Sequence, residues 1–125
     1  MMQREKLLWV DGTAGAVVGM LLLSLSPWLA PLFRLPLGIV LFMGLVNLTY
    51  GCYSLTIARF QRRPLSLIRF LVIANLAWVP VCIGLALTFR ETISIWGLLH
   101  LSAEAMFVGS LAVIEWRWRD ALVRP

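Results

Sequence analysis

Apolar residues fall into four long runs, broken by short segments rich in charge and proline. The first extends from about Leu8 to Ser26, the second from Leu37 to Ala58, the third from Leu65 to Phe89 and the fourth from Ile93 to Ile114. Each matches the ~20 residues that an α-helix needs to cross a hydrocarbon core of about 30 Å. The breaks are too short to join anything but antiparallel neighbours. The pattern therefore predicts an all-α, integral membrane antiparallel four-helix bundle with short loops, residues 1–125 forming one transmembrane domain. Met1 to Leu8, with Arg4, Glu5 and Lys6, reads as a short charged arm too small to fold alone. Pro31 and Pro36 bracket a tight connection containing Arg34, because proline disfavours continuing a helix through those points.

The polar residues inside the runs carry the chemistry. In the second run Asn47, Tyr50 and Ser54 stand at i, i+3 and i+7, on one helical face; in the third, Asn75, Trp78 and Cys82 repeat that spacing. Inside a bilayer such side chains turn inward and hydrogen-bond between helices. The fourth run holds Glu104 near its middle, with His100 one turn earlier on the same face. A carboxylate at that depth costs roughly 2.5–3.5 kcal/mol on insertion scales, so the fold must give Glu104 a partner, a proton or a cavity. Asp11 reads most simply as a first-turn acid favoured by the helix dipole, with a bundle-facing position near Asn75 as the alternative. Pro80 is expected to kink the third helix and leave room for a small cavity beside Trp78.

Composition narrows the class. The 125 residues are 61% hydrophobic and 14% charged, with a mean hydropathy of +0.89, which excludes a soluble domain. The first run has Asp11 near its start and no clear small-residue cleavage site, so it reads as a retained helix rather than a secretory signal. The net charge of +5 does not point to nucleic acid, because the basic residues sit at the ends of the runs. Nine lie on one side of the layout (Arg4, Lys6, Arg59, Arg62, Arg63, Arg69, Arg117, Arg119, Arg124) and only Arg34 and Arg90 on the other. That bias predicts that both termini are cytoplasmic. Trp9, Trp116 and Trp118 mark the inner belt, Trp28 and Trp96 the outer. Cys52 and Cys82 lack metal or disulfide spacing and read as two small buried hydrophobes.

Ser26-Pro27-Trp28 after the first span resembles the motif of small bacterial membrane proteins called SPW-repeat proteins. That resemblance covers three residues and implies no catalytic group. The four-span plan also looks like DoxX-like and sterol-isomerase-like bundles, without a motif that transfers residue by residue. Arg59 to Arg63 and Glu115 to Arg119 fall at matching ends of the two halves, as a parallel duplication or as two separate membrane anchors.

Asn47, Tyr50, Asn75, Trp78, His100 and Glu104 are thus the candidate ligand-binding set, expected to converge on a polar belt with Ser102 nearby. No GxGxxG, GxSxG, HExxH or phosphate-loop pattern is present, and a lone histidine is poor support for metal or haem, so no catalytic residue, metal or cofactor is expected. Two functions follow. One is a non-catalytic protein acting by association, as a homo-oligomer or an accessory subunit of a membrane complex. Its support is the small-xxx-small pair Gly15 and Gly19, which admits another helix backbone, together with the lack of any soluble domain and a bundle too small to enclose a wide pathway alone. The other is a small transporter or membrane enzyme that binds a small or lipophilic ligand around Glu104 and His100. A cavity in the bundle interior favours the second, a filled interior the first.

Overall fold

The structure is a computed structural model that describes residues 2–60 and 64–123. Of the expected positive cluster, Arg62, Arg63 and Arg124 lie outside the described residues, as does the side chain of Arg4. Among the described residues six helices follow in order: α1 Met2–Ser24, α2 Ser26–Phe33, α3 Leu37–Ala58, α4 Leu65–Thr88, α5 Ile95–Arg117 and α6 Arg119–Val123. Of these, α1, α3, α4 and α5 are long and apolar enough to cross a membrane. They run antiparallel in sequence, so the fold is a four-helix membrane bundle with α2 at one end and both termini at the other.

The helix ends depart from the expected ones for local reasons. The charged arm is not separate: α1 starts at Met2, and Leu8 packs fully buried against Leu122 and Ile68. Arg, Glu and Lys are good helix formers, so the helix extends through them at little cost. The connection around Pro31 is also not a bare loop. Leu25 breaks α1, and α2 begins at once, with Pro27 in its first turn, where a missing N–H is harmless. Arg34 ends α2 in the left-handed conformation (φ 56°), and Leu35 N–H donates to the Ala30 carbonyl at 3.0 Å. α4 runs without interruption through Pro80, which stays exposed. α5 extends three residues beyond the expected end and so carries Glu115 inward.

Backbones approach closely within two pairs, α1 with α3 and α4 with α5, while contact between the pairs is sparser. Glycine explains the first pair. A Cβ on Gly51 would strike the Ala16 backbone, and one on Gly19 would lie 2.5 Å from Leu48 N. The small residues of α1 therefore admit a helix of the same chain. At the α2 end, Ser94 caps α5 and ties the pairs together: its N–H donates to Phe33 O at 2.9 Å and its hydroxyl to Leu32 O at 2.6 Å.

The interior is layered along the bundle axis. An apolar cluster including Leu22, Phe33, Met43, Trp78 and Leu101 fills the α2 end. A second, with Leu8, Ile57, Ile68, Leu71 and Leu122, fills the terminal end. Between them lie the buried polar residues Asp11, Asn47, Asn75, Glu104 and Glu115. The outside is the reverse of a soluble protein, with Met106 73% and Ile73 64% exposed, as a lipid-facing surface requires. Trp28, Trp96 and Trp116 are exposed near the ends of the bundle, and Trp9 is exposed about two turns into α1. Trp118 instead turns in against the terminal cluster, and Cys52 faces outward while Cys82 is buried.

Candidate functional site

The six candidate residues do not form one belt. They divide into two polar nodes at different depths, and two acids from outside the candidate set complete the second.

The first node is built on Glu104, 8% exposed at mid-α5. Its Oε1 accepts from Asn47 Nδ2 of α3 at 2.6 Å and from Trp78 Nε1 of α4 at 2.9 Å. Asn47 is held in turn by its second amide hydrogen, donated to Met43 O at 2.8 Å. His100 Nε2 lies 2.8 Å from Glu104 Oε2, one helical turn away. The distance suits an ion pair, yet the ring N–H direction misses the oxygen, and both atoms lack an aligned hydrogen bond. His100 is oriented from the other side by Phe33, whose ring stacks on it at 5.2 Å.

The second node lies toward the terminal end. Glu115 is fully buried, and Asn75 Nδ2 of α4 donates to its Oε1 at 2.9 Å and to Asp11 Oδ2 of α1 at 3.3 Å. The Asp11 and Glu115 carboxyl groups thus meet across the one Asn75 amide nitrogen. Glu115 Oε2 has no donor from any other side chain. Eleven residues of α5 separate Glu104 from Glu115, about 16 Å along the axis at 1.5 Å per residue.

A cavity of about 410 Å³ connects the two levels. Asp11 and Asn75 line it at one level, Asn47, His100 and Glu104 at the other, with Tyr50 also in the wall. Tyr50 donates its hydroxyl to Ala74 O at 2.6 Å, bridging α3 to α4. Trp78 is not in the wall; it supports Glu104 from behind, so the cavity is not the one expected beside Pro80. Ser102 faces outward. Apolar wall comes from Ala14, Val18, Ala103, Phe107 and Val108. On the side between α1 and α5 the helices touch sparsely, and Ala103 and Phe107 remain exposed at mid-helix. The cavity reaches the surface there, midway along α5.

The sequence pattern sets Glu115 in an interfacial Trp-Arg block and makes Asp11 mainly a first-turn acid; in the structure both are interior. A signal for Glu115 is present, since eleven residues make three turns and leave it about 20° from Glu104 on the helical wheel. Among the described residues no three His, Cys, Asp or Glu side chains converge as metal ligands would. Comparison of the chain with family models, curated proteins and solved structures finds no match.

Proposed function

We propose that this multi-pass membrane protein binds a small lipophilic ligand in the cavity between its helix pairs, as a carrier, in a bacterial inner membrane with both termini cytoplasmic. One observation carries the reading: a cavity of about 410 Å³, lined by residues with carboxyl, imidazole and amide groups, lies midway along helices long and apolar enough to cross a membrane. Polar groups at that depth that serve packing alone pair off in a filled interior; here five polar candidates border the cavity. The division into two pairs with sparse mutual contact suits a carrier, because one pair can tilt on the other around a fixed site. The basic residues, nine to two in favour of the terminal end, support the orientation.

The rival reading, action by association as a homo-oligomer or accessory subunit, loses one of its supports. Gly15 and Gly19 face α3 of the same chain and are not free to receive another.

The test is photolabelling in lipid vesicles with a small uncharged aryl diazirine, mapped by mass spectrometry. Labelling should saturate and concentrate on Ala14, Val18, Ala103 and Phe107. Ala103→Trp, which closes the open side without touching the packed interior, should abolish it. Labelling that never saturates and spreads evenly over the lipid-facing residues would end the ligand reading.

A further inference from the structure

The hydrogen-bond inventory of the cavity identifies the chemistry of its occupant; this step rests on the ligand reading above. Asn47 has two amide hydrogens, one on Met43 O and one on Glu104. Asn75 divides its two between Asp11 and Glu115. The Tyr50 hydroxyl is committed to Ala74 O, and the Trp78 N–H behind the wall to Glu104. Each of these donors already has a protein acceptor.

What the wall still offers is the opposite kind of group. The acids Asp11 and Glu104 border the cavity, and the side-chain carbonyls of Asn47 and Asn75, also in its wall, can only accept. Glu104 Oε2, on a side chain more than nine-tenths buried, has His100 Nε2 at 2.8 Å but no aligned donor. Three acids stand in the two nodes against one imidazole, and among the described residues the ion-pair contact of these acids is with His100 alone. A ligand that brought acceptors or negative charge would find one uncommitted donor, the His100 ring, which itself lies 2.8 Å from Glu104, and would face carboxyl groups. A ligand that brings N–H donors and positive charge satisfies both.

The rest of the wall sets the body of the ligand. Val18, Ala103, Phe107 and Val108 are apolar, and the opening between α1 and α5 faces acyl chains. The molecule therefore enters from the bilayer and carries an apolar part. We infer that the cavity takes an amphiphilic amine as its ammonium ion, the charged head donating to Glu104 and the apolar body lying against α5. Asp11 adds a second acid at the other level of the same cavity, and the Phe107 ring adds a face that attracts cations.

Three isosteric probes decide it: 2-phenylethylammonium, 2-phenylethanol and phenylacetate, each competing with the diazirine label in vesicles at equal membrane concentration. The ammonium should displace the label at a concentration about tenfold or more below that of the alcohol, with phenylacetate weakest. Glu104→Gln should remove most of the difference, and Ile73→Ala, on the lipid face, should leave it intact. Asp11→Asn provides an independent variant should the first fail to fold, and should narrow the preference. If the label saturates but the alcohol or the carboxylate competes as well as the ammonium, the amine assignment falls while the ligand site stands. A preference that survives both acid substitutions overturns the assignment as well. If nothing saturates, both fall.

Discussion

Glu104 receives side chains from three helices, so substitutions there separate the roles of charge, shape and hydrogen bonding. Glutamine keeps a carbonyl oxygen for Asn47 and Trp78 and turns its amide toward His100; Glu104→Gln should stay within about 1 kcal/mol of the parent. Leucine removes the acceptor and strands two buried donors, each costing about 1–3 kcal/mol. Lysine buries a cation opposite those donors, a change of the kind that costs about 3–5 kcal/mol. Thermal melts in detergent should therefore rank the variants Gln, Leu, Lys in falling stability. Equal melts for Gln and Lys would mean that the side chain reaches water or headgroups. Much of this node is legible in the sequence: the i, i+4 pair and the Asn47 face need only helical periodicity. The second node is obscured because Glu115 precedes Trp-Arg-Trp-Arg, whose strong resemblance to an interfacial anchor hides the helix continuing beneath it.

At the scale of the helices, the α1–α3 contact depends on absent side chains. Gly51→Ala places a methyl group against the Ala16 backbone, which has no rotamer to yield, and should cost about 1–3 kcal/mol. On α4, a methyl group added at Gly84 would meet nothing within 4 Å, so Gly84→Ala should be neutral or stabilising by about 0.5–1 kcal/mol. Unfolding of the purified protein in a denaturing detergent series would distinguish them; equal loss at both sites would remove the close-packing argument. Four spans are legible because each run alone meets the length and hydropathy that a bilayer demands. The α2 helix is not, since Pro27 and Pro31 in eight residues ordinarily signal a loop. It forms because Pro27 falls in the first turn and because its far end is held by Ser94. The glycines of α1 do mark a site of close approach, but a single sequence does not say whether the approaching helix is its own.

For the molecule as a whole, the charge asymmetry makes a prediction about orientation. Reporter fusions active only outside the cytoplasm should be silent after Phe60 and at the C-terminus, and active near Arg34 and Arg90. Moving the bias, for instance with Arg59→Glu and Arg69→Glu together, should raise the reversed fraction measurably. Uniform reporter activity at both ends of the bundle would contradict the four-span orientation. The helix pairs are tied at both ends. Ser94 bolts the α2 segment to the start of α5 by two hydrogen bonds to main-chain carbonyls, and at the opposite end Tyr53 of α3 donates its hydroxyl to Leu67 O of α4 at 2.8 Å, beside the Leu8 and Leu122 cluster. Two clamped ends leave bowing as the cheapest way for the pairs to part. A bow is widest at its middle, so the gap would grow where Ala103 and Phe107 stand, while Phe33 and Leu122 keep their neighbours.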